Sequence, residues 1–175
     1  MTGPRPLPVL QGERVLLRPV REDDAAALLA LLSEPGVAAW WPGWDAERVR
    51  RDLIGEQEWE VVMVIEVESA PAGMLPVGEE EEPDYRHAGL DIFLATEHQG
   101  AGLGPHALRL AARWLTDERG HHRLTIDPAC ANVRAIRAYH TIGFRPVGIM
   151  RRYERGPDGA WHDALLMDLL AEELT

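Results

Sequence analysis

The sequence predicts a mixed α/β domain built around one central sheet flanked by helices. Three observations predict it. Apolar patterns of strand and helix period interleave in the order strand, two helices, three strands, helix, strand, helix, two strands. The chain has 175 residues, 46% hydrophobic and 27% charged, which suits a single core of ordinary composition. No repeat or linker divides it, so residues 13–175 read as one domain behind a flexible, proline-bearing lead-in over 1–12.

The elements follow in order. Glu13 to Val20 is a first strand, with Val15, Leu17 and Pro19 on one side. Asp23 or Asp24 caps a helix running to about Ser33 on Ala25, Leu28, Leu29 and Leu32, and Pro35-Gly36 stops it. Asp45 caps a second helix that carries Val49, Leu53 and Ile54 and ends at Gly55. Trp59 to Val67 is a strand rich in Val and Ile. Ala70 to Gly73 reads as a turn before a short strand near Met74 to Val77. Gly78 to Arg86 is a polar loop holding Glu79 to Glu82, and His87 to Ala95 is the next strand. Leu103, Ala107, Leu110 and Trp114 recur at helical spacing over Gly102 to about Glu118. Arg123 to Asp127 is a short strand, and Asn132 to Ile142 is a helix closed by Gly143. Phe144–Arg152 and Trp161–Leu169 are strands joined by the Gly156-Pro157-Asp158-Gly159 turn.

Bulk properties exclude several classes. The net charge of −11 argues against nucleic acid, whose phosphates call for a basic face. It permits a cationic partner and also simply favours solubility. No apolar run is long enough to cross a bilayer, and the first ten residues lack a signal-peptide core, so a cytoplasmic location is expected. A lone Cys130 excludes an intramolecular disulfide and any Cys-rich metal site. His87, His98, His106, His121 and His122 lack zinc-ligand spacing, so no metal is expected. His121-His122 reads as a helix end, where imidazolium is favourable.

Two segments carry chemistry. Gln99-Gly100-Ala101-Gly102-Leu103-Gly104 follows a strand and opens a helix, with Pro105 in the first turn. Glycines there let backbone N–H groups approach an anion, and the helix N-terminus adds partial positive charge. The bland alternative is a turn that only lets strand and helix pack closely. The loop lacks the Gly-Lys-Ser/Thr of a nucleoside triphosphatase, and its Gly-x-Gly-x-Gly spacing is not the dinucleotide fingerprint. The second segment runs from Asn132 through Ala135, Ile136 and Tyr139 to Gly143-Phe144. Taken singly, Asn132 is a helix cap and Tyr139 a core tyrosine.

Together, Gln-x-x-Gly-x-Gly and, about thirty residues on, Asn-x-x-Ala-x-x-x-Tyr-x-x-x-Gly-Phe resemble the GNAT N-acetyltransferase superfamily. The element order fits that acyl-CoA N-acyltransferase fold over about residues 13 to 170. The resemblance implies acetyl-coenzyme A as cosubstrate. Its pyrophosphate would sit on the amides of Gln99, Gly100, Ala101, Gly102, Leu103 and Gly104, beside Pro105. Its pantetheine arm would run along Phe93 and Leu94 and meet Asn132 and Ala135, with Tyr139 near the sulfur. A thiol of pKa about 8.5 and a phenol of about 10 make a hydrogen bond or proton from Tyr139 to the leaving thiolate reasonable.

A narrower resemblance is to the aminoglycoside 6′-N-acetyltransferases. It rests on Trp40-Trp41, the acidic loop, Gly89-Leu90-Asp91, Thr125-x-Asp127-Pro128 and Asn132-x-Arg134-Ala135-Ile136-Arg137-x-Tyr139. It weakens after Gly148, where the hairpin arm Arg151 to Trp161 is longer than that group leads one to expect. It implies that Asp91 takes the proton of the attacking amine and that Asp127 helps hold the aminoglycoside. An alkyl ammonium of pKa about 10 must lose a proton before it attacks, and a carboxylate can anchor the cation and accept that proton. Glu82 and its neighbours would form a negative rim. Trp40 and Trp41 would make an apolar wall, although one or more of Trp40, Trp41 and Trp44 reads as plain core packing. The implied partner is a cationic small-molecule amine, with the chain a monomer or homodimer and neither nucleic acid nor membrane involved. Two alternatives remain: acylation of a peptide, ribosomal-protein amine or siderophore precursor, and a coenzyme A-binding sensor without turnover. Siderophore relatives are expected to carry His where Asp91 stands, and the presence of Asp91, Asp127 and Tyr139 argues against the sensor.

Overall fold

The structure is a computed structural model that describes residues 7–55 and 61–174. Trp59 and the start of the strand expected there lie outside the described residues. The strands are β1 (Leu10–Gln11), β2 (Leu16–Pro19), β3 (Val61–Val67), β4 (Ala70–Glu80), β5 (His87–Leu90), β6 (Phe93–Leu94), β7 (Arg123–Ile126), β8 (Arg145–Arg155) and β9 (Trp161–Leu170). The helices are α1 (Ala25–Leu32), α2 (Pro35–Ala38), α3 (Ala46–Arg48), α4 (Leu103–Arg113) and α5 (Val133–His140). A wider helical turn extends α3 over Val49–Ile54, and another extends α4 over Trp114–Glu118.

The strands form one mixed sheet in the order β1-β2-β3-β4-β5-β7-β9-β8, with β6 also on β4. Every pairing is antiparallel except β5 with β7, which run parallel at Ala88↔Leu124 and Gly89↔Thr125. The apolar run of β3 has no polar alternation because both its faces are buried. Val61, Met63 and Ile65 join α4 and α5 in one core, whereas Val62 and Val64 meet α1, α2 and Leu53 in the other. Alternation along one strand thus builds a three-layer domain.

Several elements differ from the sequence reading. Leu10–Gln11, inside the expected lead-in, pairs with Leu16 and Leu17. Pro35 does not only end α1; it opens α2, where its missing N–H costs nothing. Asp24 folds back instead of capping α1. It accepts from the Arg21 N–H at 2.7 Å and takes two bonds from Arg18, at 2.7 and 2.8 Å. Asp45 does cap α3, accepting from the Arg48 N–H at 2.8 Å.

The turn expected at Ala70–Gly73 lies inside β4. The reversal is made by Glu68 and Ser69, both left-handed at φ 51° and 66°, between the paired Val67 and Ala70. Pro71 is accommodated where the β3–β4 register shifts. Gly73 is there for close approach: a Cβ on it would lie 2.2 Å from the Phe93 carbonyl oxygen. The expected polar loop is likewise shorter, because β4 continues to Glu80. Glu79 is buried, accepting from Arg119 at 2.6 Å and lying 2.6 Å from His121 Nε2. His121 is therefore a core residue, not an exposed helix end.

Candidate active site

The site is created by a divergence in the sheet. After Gly89↔Thr125 no further β5–β7 pair forms. Phe93 and Leu94 stay on β4, opposite Met74 and Gly73, while β7 stays on β9 as far as Ile126↔Met167. The Asp91 and Ala95 N–H groups donate to Pro76 and Ala72, at 3.0 and 2.7 Å. Backbone alternation then turns the amides of Ile92 and Leu94 away from β4, into the opening. Asp91 Oδ1 accepts from the Ile92 N–H at 2.8 Å, and the Leu94 carbonyl accepts from Gln99 Nε2 at 2.8 Å.

A cavity of about 290 Å³ occupies this opening. Ten of the sequence-predicted coenzyme residues line it: Phe93, Leu94, Gln99, Gly100, Gly102, Gly104, Pro105, Asn132, Ala135 and Tyr139. Ala101 and Leu103 do not. The Ala101 carbonyl accepts from Arg14 at 2.8 Å, and the Leu103 side chain is buried in the core. Gly100 and Gly102 have φ of 81° and 77°, and a Cβ at Gly100 would meet nothing within 4 Å. The loop is therefore open on the side where its backbone is bare. Gly102 is the N-cap of α4, so the helix's unpaired N–H groups face the same cavity. Asn132 caps α5, its Oδ1 accepting from the Ala135 N–H at 3.2 Å. Arg134 bonds the Gln99 side-chain oxygen and places a guanidinium beside the loop. Bare glycine amides, a helix N-terminus, an arginine and a strand edge that no neighbouring strand covers fit a long anionic cofactor with an amide-bearing arm.

Tyr139 lines this cavity, 7% exposed, and lies near enough to Asp91 and Asp127 to feel their charge. Burial and the charges of Asp91 and Asp127 push its phenol above the ordinary range. Asp91 is half-buried as a residue, yet its carboxyl is enclosed enough for burial to push its pKa up to about 7. The Ile92 N–H opposes that rise, and the charges of Asp127 and Glu154 add to it. Asp127 is also raised by burial, against the opposing effect of the Tyr153 hydroxyl. Among the described residues, no arginine forms an ion pair with Asp91, Asp127 or Glu154.

Trp40 and Trp41 line the coenzyme-type cavity, and Trp41 packs edge-on to Phe93 at 5.2 Å between ring centroids. Trp44 instead carries Arg48 over its ring at 4.2 Å and packs, partly buried, against the core that holds Leu53 and Phe93. Glu82 stands apart from the glycine loop. It lies past β4, in the segment that Arg86 ties to the Arg119 carbonyl at 2.7 Å, at the far end of the helix that begins with Leu103. It is not among the residues that line either of the two cavities described here.

A second cavity, of about 570 Å³, lies beside the carboxylates and was not anticipated. Trp40, Cys130, Glu154, Trp161, His162 and Asp163 are among its walls. The signal was the long Arg151–Trp161 arm, which the sequence marks as a departure without saying where it folds.

The arrangement suits an acyl-transfer domain, with a glycine loop at a helix start, a strand edge no neighbouring strand covers, a buried phenol and a raised carboxyl. The acetyltransferase (GNAT) domain family matches residues 14–145. An aminoglycoside N(6′)-acetyltransferase type 1 of Klebsiella pneumoniae is 30% identical over 166 residues, covering 85% of this chain and 80% of that protein. Among solved structures, RimJ of Mycobacterium smegmatis, in complex with CoA-disulfide, is 28% identical with a TM-score of 0.79, covering 97% of this chain and 88% of that one. The aminoglycoside acetyltransferase AAC(6′)-Ib in complex with coenzyme A is 26% identical with a TM-score of 0.76, covering 91% and 96%. The chain belongs to the GNAT acetyltransferase family and is an N-acetyltransferase.

Proposed function

We propose that the protein transfers an acetyl group from acetyl-coenzyme A to a primary amine of a cationic small molecule, with the 6′-amine of aminoglycosides as the leading acceptor. The observation that carries this reading is the group of carboxyls without arginine partners, Asp91 and Asp127, whose charge bears on Tyr139 in the wall of the coenzyme-type cavity. Two of the relatives above, the Klebsiella pneumoniae protein and AAC(6′)-Ib, are aminoglycoside acetyltransferases and support the choice of acceptor.

Bound acetyl-coenzyme A supplies an acetyl thioester, whose carbonyl carbon bonds to the acceptor nitrogen as the C–S bond breaks. The loop from Gln99 to Gly104 holds the pyrophosphate through its amides, and the Ile92 and Leu94 edge aligns the arm. Asp91 anchors the acceptor ammonium and takes its proton, directly or through water. A carboxyl near pH 7 suits that task, being ionised often enough to act and basic enough to accept. Asp127 adds a second negative charge that holds the cation. Tyr139 donates a hydrogen bond to the sulfur as negative charge builds there. Its raised pKa keeps the phenol protonated, so it steadies the thiolate without giving up its proton.

Free thiol released from acetyl-coenzyme A reports turnover with kanamycin, tobramycin, polyamines and peptides as acceptors. Turnover with the aminoglycosides is expected. Turnover with peptides alone rejects the aminoglycoside acceptor. No turnover, with acetyl-coenzyme A still raising Tm, rejects catalysis and favours a sensor.

A further inference from the structure

The turn between β1 and β2 lies against the start of α4, the helix that the glycine loop opens. The Gly12 N–H donates to the Val15 carbonyl at 2.9 Å and closes that turn. The turn sits so near the helix that a Cβ on Gly12 would come within 2.7 Å of His106 Nε2 and of Leu110 Cδ1. This seat brings Arg14 to the loop, although the two lie 87 residues apart in the chain. Arg14 Nη1 donates to the Ala101 carbonyl at 2.8 Å and lies 3.9 Å from where a Cβ on Gly102 would stand.

That carbonyl is a neutral partner. A guanidinium is always charged and carries five N–H donors in a planar fork. Arg14 is exposed, and among the described residues it forms no ion pair, not even with its neighbour Glu13. Arg134, reaching the loop from α5, is also exposed and without an ion pair among those residues, and its partner is the neutral side chain of Gln99. Two uncompensated positive charges thus hold the loop at residues 99 and 101, in a chain whose net charge is −11. Bracing a carbonyl needs one donor and no charge. The rest of the Arg14 fork stands beside Gly102, which caps α4 and lines the coenzyme-type cavity, and a fork of that shape suits phosphate oxygens.

We propose that Arg14 is a binding residue of the coenzyme site, donating from the β1–β2 turn to a phosphate of acetyl-coenzyme A. The proposal rests on the coenzyme reading above and extends that site from the loop and α5 to the first strands of the chain. The pyrophosphate and the 3′-phosphate are the two sources of the phosphate oxygen.

Calorimetric titration of the full chain with coenzyme A, and with dephospho-coenzyme A, which lacks the 3′-phosphate, tests the proposal. Arg14→Gln keeps a donor for the Ala101 carbonyl and removes the charge. It is expected to weaken coenzyme A binding about ten-fold at about 20 mM salt, a gap that narrows to about three-fold or less near 0.5 M. A loss confined to coenzyme A assigns the 3′-phosphate, and an equal loss with dephospho-coenzyme A assigns the pyrophosphate. Wild-type affinity of the variant for both ligands overturns the proposal and leaves the coenzyme reading standing. A loss that does not change with salt makes Arg14 a brace for the loop and also overturns it. If the wild type binds neither ligand, the coenzyme reading fails and the proposal fails with it.

Discussion

At the scale of single residues, Asp91 carries the sharpest consequences. With its pKa near 7, the carboxyl is protonated on the acid side of neutrality and cannot take the amine's proton. The pH profile of kcat/KM is expected to fall below about pH 7, roughly ten-fold per unit, and Asp91→Asn to lower kcat by about 10²–10⁴ while leaving coenzyme affinity nearly intact. Unchanged kcat in that variant removes Asp91 from the mechanism. The same residue costs stability. Its folded pKa of about 7 lies above the unfolded value of about 3.9, so the native state binds the extra proton between them. Stability therefore falls as pH rises from about 4 to 7 and stays lower beyond. Asp91→Asn recovers the loss, and its Tm is expected to exceed that of the wild type by on the order of 10 °C at pH 8. Little change is expected at pH 4, and a thermal scan at the two pH values checks this; an equal rise at both would place the effect in packing, not charge.

At the scale of elements, the loop before α4 and the helix α5 were legible because their demands are local. A glycine loop at a helix start, and an Asn cap two turns before a tyrosine, are written in consecutive residues. Gly102→Asp tests the loop. Gly102 is left-handed, a conformation Asp tolerates better than most residues, and a negative charge at a helix N-terminus is favourable. The expected change in folding stability is therefore within about 1 kcal/mol. The affinity for coenzyme A should nevertheless fall more than about ten-fold, because the new carboxylate meets the pyrophosphate. Calorimetric titration of coenzyme A checks it, and normal affinity sinks the loop assignment. The Glu68-Ser69 reversal was not legible. Neither residue advertises a left-handed turn, whereas Pro71 and Gly73 do advertise a break. What overrides them is non-local: β6 approaches Gly73 so closely that only glycine fits. The position of Glu82 was not legible for a related reason, since a run of glutamates does not say which end of the sheet it will reach.

At the scale of the whole molecule, the order and type of most elements followed from periodicity, but the divergence of β5 and β7 and the seat of the long hairpin did not. Both depend on partners far apart in sequence. The net charge of −11 also acts at this scale. A field of that sign steers cations, so kcat/KM for tobramycin is expected to drop several-fold or more between about 20 mM and 300 mM salt, with kcat steady. Salt-independent kcat/KM would confine the electrostatics to the site itself. The divergence of the sheet has one more consequence. A strand edge left open at the margin of a protein invites other chains, and natural proteins blunt such edges with charge, proline or brevity. Here the edge at Ile92 and Leu94 faces a cavity walled by Trp41 and α5 residues, and Asp91 and Gln99 side chains already take its Ile92 N–H and Leu94 carbonyl. The fold thus keeps an unfinished hydrogen-bond ladder at its centre without advertising it to its neighbours, and whatever completes that ladder also holds the two halves of the sheet together.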